Sequence, residues 1–421
     1  MARRATFTVA TVLAAAFALS SGPAWSAEHP LPDPTGPTCH EADGYAASFD
    51  GRRTFLFEPS VLRALAARTD GAAKAARATL VARADAALMR GPYTVADKRT
   101  IPPSGDRQDY LSVGPYWWPD PAKKDGLPFI RRDGQVNPDR ATNKYDRADL
   151  GAMSADVETL GLAYYFTGYA QYARHAADLL DIWFLHPKLG MHPNMNFAQA
   201  VPGRETGRAE GIIDTAGLHG VIEAIGLIGP SGALTAEQRT GLEKWFSAYV
   251  DWMMTSKNGR AEDAAKNNHG MWYDSQLTHF ALFSRRPEIA RSVTGAFAAR
   301  RIAPQIEPDG RMPLELARTR SLHYSAYALA AAYNVADLGR CVGVDLWDEV
   351  DAKGRGLKPA TDYLAGYRGK IDRWPYKEID PSPAIIDDLL LRAAQGWPGA
   401  GYPVNDGALL KTWFKSNGGP D

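Results

Sequence analysis

The sequence predicts an all-α protein with one folded domain, and three observations carry that reading. Apolar residues recur at three- and four-residue spacing over most of the chain, strand-like alternation is almost absent, and no linker-like stretch separates the helical segments. Hydrophobic residues make up 45% of the 421 positions and charged residues 23%, ordinary globular usage that permits a large core.

The segments expected to be helical are Val61 to Ala67, Ala72 to Met89, Ala155 to Tyr165, Tyr169 to Phe184, Thr215 to Ile228 and Ala236 to Met254. Met271 to Phe283, Pro287 to Ala303, Leu322 to Leu338, Ala360 to Tyr367 and Ile385 to Ala394 follow. Ser60 stands where the first helix should begin. Thr235 with Gln238 three residues later reads as a capping box.

Met1 to Ala27 reads as a secretory signal: Arg3 and Arg4, an apolar stretch from Phe7 to Leu19, then small residues ending in Ala27. Residues 28–59, rich in Pro, Gly and Asp, read as an extended leader on the surface, and 60–421 as the folded domain. No apolar run after the signal is expected to span a bilayer, which implies a periplasmic or secreted protein with no membrane partner. Cys39 and Cys341 are either a disulfide or two separate buried thiols. Forty-eight basic residues balance forty-eight acidic ones, which argues against nucleic acid as a partner and requires any polyanion to be gripped locally. Oligomeric state is not readable, with a monomer as the default.

Two stretches, Gly91 to Arg147 and His186 to Asp214, are dense in Pro, Gly and polar residues and too long for plain connections. They are expected to wall a cleft at one end of the helices. Asn267, Asn268 and His269 stand at a helix start, where amide and imidazole donors and the helix dipole suit an anion such as a uronate carboxylate. Taken alone, an Asn-His pair more often caps a helix and packs. Arg318 would add a bidentate charge to the same carboxylate, and Tyr324 a phenol able to give or take a proton. That combination suits β-elimination, in which the C5 proton of a uronate leaves only if its carboxylate is neutralised. Tyr324 is then the acid and His269 the alternative base.

These residues, with Gly114-Pro115-Tyr116-Trp117-Trp118-Pro119-Asp120-Pro121 and Asn194-Met195-Asn196-Phe197-Ala198-Gln199, resemble the alginate lyase domain of polysaccharide lyases. The resemblance spans about Ser60 to Leu338. It implies an incomplete (α/α) toroid of six or seven helical hairpins. It also implies that Asn268, His269 and Arg318 grip the carboxylate while Tyr324 is the catalytic acid and, in some members, also the base. The run Asn-His-Gly-Met-Trp-Tyr-Asp is closer to the alginate and glucuronan branch than to the mannuronate-specific one.

The expected substrate is therefore an anionic uronate polysaccharide, alginate or glucuronan, cleaved to 4,5-unsaturated ends. Around the reacting sugar, Tyr116, Trp117 and Trp118 are candidates for stacking and Asn194, Asn196 and Gln199 for bonding hydroxyls. Arg204, Arg208, Asn267 and Tyr273 complete the expected substrate-binding set. His175, His219 and His279 fall on helical patterns and read as structural. No cofactor or metal is called for, since the aspartates of the long loop lack the spacing of a calcium loop. Two rivals are a glycoside hydrolase using Asp214 and Glu315, and a non-catalytic glycan-binding protein.

Overall fold

The structure, a computed structural model, describes residues 38–403; the expected signal lies outside the described residues. In chain order the elements begin with α1 (Pro59–Ala67) and α2 (Gly71–Ala87). Three short strands follow, β1 (Leu111–Val113), β2 (Trp117–Trp118) and β3 (Ile130–Arg131). Then come α3 (Arg147–Thr167), α4 (Ala170–Leu180), β4 (Phe197–Ala200), α5 (Leu218–Ile228), α6 (Ala236–Thr255) and α7 (Lys257–Asp263). The chain continues with α8 (Asn268–Phe283), α9 (Pro287–Phe297), α10 (Ala303–Gln305), α11 (Pro313–Leu316), α12 (Ser321–Arg340), α13 (Leu357–Ala365) and α14 (Ala384–Gly396).

Burial separates inner from outer helices. Every residue of α5 is buried, and in α8 every residue but His269. A helix that lacks a solvated face must be surrounded, and α8 has α6, α9 and α12 against it, as α3 has α2, α4 and α5. The outer helices α4 and α9 keep one polar face, as helices covering a core do. Gly168, at φ 72°, ends α3 in the left-handed conformation that lets the chain reverse into α4.

Local signals explain most boundaries. The Thr235–Gln238 capping box forms at the start of α6. At α1 the cap is Glu58 rather than Ser60: its carboxylate accepts from the backbone N–H groups of Ser60 and Val61, with Pro59 in the first turn. The described residues before α1, 38–58, do not lie on the surface as a leader. Phe49 and Phe55 are buried in the core, and the N–H groups of Phe55 and Phe57 donate to the buried Glu223 on α5. Cys39 and Cys341 form a disulfide, with Cα atoms 4.5 Å apart, tying this segment to the end of α12.

One stretch, Ala209–Ser231, is long and apolar enough to cross a membrane by composition, contrary to the sequence reading. It is 94% buried inside the protein, so its apolarity belongs to the core.

The two irregular stretches meet: β1 pairs in parallel with β4, Leu111 opposite Phe197 and Val113 opposite Ala200. The longer stretch is anchored by a wholly buried ion pair, Lys98 Nζ to Asp146 Oδ2 at 3.0 Å. Lys98 also donates to the Arg107 carbonyl, and Asp146 accepts from the Leu111 N–H. Beyond β1 the chain folds into a hairpin, β2 against β3, with Trp117 opposite Arg131 and Trp118 opposite Ile130.

Candidate active site

The first turn of α8 has unpaired N–H groups and a positive dipole end, and two carboxylates answer it. Asn267 caps the helix, its side chain accepting from the His269 N–H at 3.2 Å. Asn268 donates twice to Glu315 on α11, from its backbone N–H at 2.6 Å and from Nδ2 at 2.7 Å. Because a carboxylate only accepts, this fixes which end of the Asn268 amide faces Glu315. The other end, Oδ1, is buried with no hydrogen-bond partner among the described residues. Burial raises the Glu315 pKa, against the Asn268 hydrogen bonds and the charges of Arg318 and His269 that lower it.

His269 keeps 18% of its side chain exposed. Its Nδ1 lies 2.6 Å from Oε1 of Glu262, a carboxylate on α7 with 2% of its side chain exposed. A carboxylate partner makes Nδ1 the protonated nitrogen of neutral His269, so Nε2 carries the lone pair. Burial alone would lower the imidazole pKa, but the Glu262 charge and hydrogen bond outweigh it and raise it above its usual value. Neither α7 nor Glu262 is visible in the hydrophobic periodicity; a carboxylate seven residues before a helix-start histidine is the one sequence trace of the pair. Gly270 follows His269 because a Cβ there would stand 2.3 Å from the Ala265 carbonyl and 2.6 Å from Arg301 Nη1.

The second half of the site comes from the chain entering α12. The guanidinium carbon of Arg318 lies 3.9 Å from the centre of the Tyr324 ring. Arg318 Nη2 donates to Asp133 Oδ1 at 2.9 Å, and Thr319 Oγ1 to Asp133 Oδ2 at 2.9 Å. Burial would raise the Asp133 pKa, but Arg318 and Thr319 bring it down to about 2. The Tyr324 hydroxyl meets that of Tyr116, delivered by the β2 end of the hairpin. Burial, with the neighbouring Tyr116, pushes the Tyr324 pKa up past the range of ordinary phenols, and the Arg318 charge only partly offsets this.

Side chains one turn below bring the two halves to the same end of the molecule. Trp272, three residues after His269, packs on Tyr327, three residues after Tyr324, with ring centroids 4.6 Å apart. Further along, Asn334 on α12 donates to Ser275 on α8 at 3.2 Å. Contacts that advance together along both helices mean that α8 and α12 run in the same direction. Their first turns, with Asn268 and His269 on one and Tyr324 on the other, are therefore neighbours.

The walls are more selective than the sequence suggests. On the hairpin, Arg204 lies over Trp117 at 5.4 Å and Arg132 over Trp118 at 5.2 Å, pairing each indole with a cation. Arg208 is near the centre: Nη2 donates to Gln199 Oε1 at 2.7 Å, Nη1 to Glu210 at 3.1 Å, and its charge acts on His269. Asn194 donates to Asp109, and the exposed Asn196 accepts from Trp252 Nε1 at 3.0 Å.

Two expected binding residues are turned inward. Gln199 is 3% exposed, with its amide spent on Asp214 and Arg208, and Tyr273 is 2% exposed with its hydroxyl on the Met253 carbonyl. Helical and strand spacing give a face but not its direction, which is why both look available in the sequence.

The carboxylates of the hydrolase reading are likewise engaged. Asp214 is buried among Arg140, Ser112, Tyr110 and Gln199, and Glu315 is bound to Asn268.

Residues 94–374 match the family model described as alginate lyase. Among solved structures, the chain is 39% identical to an alginate lyase from Bacteroides ovatus, with a TM-score of 0.81, covering 86% of this chain and 96% of that one. Alginate lyase A1-III from Sphingomonas species A1 is 20% identical with a TM-score of 0.50, over 80% of this chain and 91% of that one, a likeness of fold. No individually curated protein matches. The fold is thus the incomplete (α/α) toroid. This chain belongs to the alginate lyase family and is a polysaccharide lyase.

Proposed function

We propose that this lyase cleaves a uronate polysaccharide, alginate or glucuronan, by β-elimination and leaves 4,5-unsaturated uronate ends. The observation that carries the reading is the meeting of the α8 and α12 first turns, with an amide, an imidazole, a guanidinium and a phenol from two segments far apart in sequence. Arg318 neutralises the sugar carboxylate and the second Nδ2 hydrogen of Asn268 donates to it, so that the electrons of the breaking C5–H bond can move onto it. They then form the C4–C5 double bond as the C4–O4 bond breaks, and O4 leaves with a proton from Tyr324. A buried phenol with a raised pKa is neutral at ordinary pH, the form an acid needs.

The proton acceptor depends on the sugar. In guluronate the C5 hydrogen and O4 lie on opposite faces, which calls for His269 as base. Mannuronate and glucuronate share the same-face arrangement, since they differ only at C2, and there Tyr324 must first ionise beside the Arg318 charge, so that its phenolate takes the C5 proton and then gives it to O4. Trp117 and Trp118 with their arginines offer stacking surface and positive charge to neighbouring uronates. The first residues are read as an export signal to the periplasm or beyond, and the disulfide is what an oxidising compartment permits.

The test is a panel of poly-mannuronate, poly-guluronate and glucuronan, followed by the ultraviolet absorbance of the new double bond. Tyr324→Phe should lower the rate by about a hundredfold or more on whichever polymer is cleaved. Absence of unsaturated product from all three would overturn the reading.

A further inference from the structure

Outside the residues already given a role, one aromatic side chain near the site has a built setting and no assigned task. Trp252 sits near the end of α6, half-buried. One face of its indole lies parallel to Tyr249, with centroids 5.7 Å apart and planes 13° from parallel. Its N–H is held by Asn196 Oδ1 at 3.0 Å. Among the described residues no second ring stacks on it. An indole fixed on one face and along its polar edge, yet still partly exposed, is pre-organised to receive a flat apolar partner, such as the C–H face of a sugar ring.

Its neighbours place it beside the reacting groups. The next residue, Met253, accepts through its carbonyl the hydroxyl of Tyr273, one turn after His269 on α8. The chain then turns into α7, which carries Glu262. Asn196, which holds the indole, packs against Gly207, where a Cβ would stand 2.1 Å from the Asn196 carbonyl, next to Arg208. Trp252 thus belongs to the α6 flank of the site, and an arginine whose charge acts on His269 lies close to its holder.

We propose that Trp252, held by Asn196, is a sugar-stacking subsite for a uronate residue away from the reacting one, and so sets how strongly the enzyme prefers longer chains. This rests on the uronan reading above. Binding is measured by calorimetry on Tyr324→Phe protein, in which loss of the acid should suppress turnover. The probes are mannuronate and glucuronate oligosaccharides from dimer to hexamer.

Trp252→Ala in that background should weaken binding of the longer oligosaccharides by about three- to tenfold and leave the dimer unchanged, from stacking of roughly 0.5–1.5 kcal/mol. Trp252→Phe should restore most of the loss, and Asn196→Ala should give a smaller loss of the same length dependence. In otherwise native enzyme, Trp252→Ala should lower kcat/KM on polymer while sparing the shortest cleaved substrate. Equal affinity at every length, or an equal loss at every length, overturns the proposal while leaving the lyase reading intact if native enzyme makes unsaturated product. Failure of the Tyr324→Phe protein to bind any oligosaccharide overturns it too.

Discussion

Glu262 Oε1 lies 2.6 Å from His269 Nδ1, and the carboxylate has no comparable exposure of its own: 2% of its side chain against 18% for the imidazole. The pair makes His269 a tuned group, because a buried anion on one ring nitrogen stabilises the protonated ring and orients the other nitrogen.

On a substrate that uses His269 as base, activity should therefore rise with pH through an apparent pKa above the usual histidine value of about 6.5. Glu262→Gln removes the anion but keeps a side chain of the same shape. The acid limb should move to lower pH, and the maximal rate should fall roughly ten- to a hundredfold as the imidazole loses its fixed orientation. A pH profile of kcat/KM for the two proteins measures this. A lowered rate with an unmoved acid limb would leave Glu262 with a packing role alone.

The ion pair between Lys98 and Asp146 should be indispensable to the long irregular stretch, since both side chains are fully buried. Lys98→Met leaves Asp146 without its cation and should destabilise the protein by about 3–5 kcal/mol. Lys98→Met combined with Asp146→Leu should recover a good part of that loss. Chemical denaturation of the two variants gives the comparison.

Acid should destabilise the core through His219. Its Nδ1 faces Nδ1 of His279 at 2.7 Å and its Nε2 faces Ser275 Oγ at 3.0 Å, while His279 Nε2 faces Glu223 at 3.0 Å. Burial, then the His279 and Arg392 charges, holds the His219 pKa well below its usual value. The unfolded chain therefore takes up this proton first as pH falls. Stability should drop as pH descends below about 6.5 and be unaffected by this group above it. His219→Asn should make that decline shallower, read from denaturation midpoints on either side of the transition.

The helical architecture was legible because its signal is local and periodic: α6 and α8 begin and end within a few residues of where apolar spacing puts them. The sequence also places Asn268, His269 and Tyr324 in the first turns of helices, as the structure has them, while Arg318 lies in the turn between α11 and α12. What stayed hidden depends on tertiary packing. The polar, seven-residue α7 shows no apolar stripe, so the carboxylate it brings to His269 was missed. The first two turns of α3 looked like loop, because Arg147 and Asp149 lead into them. Trp252 falls within a segment read only as helical, and its pairing with Asn196 joins residues that no spacing rule connects.

The parallel pairing of Leu111 with Phe197 and of Val113 with Ala200 means that two excursions, inserted at separate points between the helices, share one backbone ladder. Neither can be lengthened, shortened or exchanged with a homologue's without leaving the other's N–H and C=O groups unmatched. Attempts to redirect specificity by grafting should therefore transplant both segments together, and the two should diverge in concert as the lineage meets new glycans.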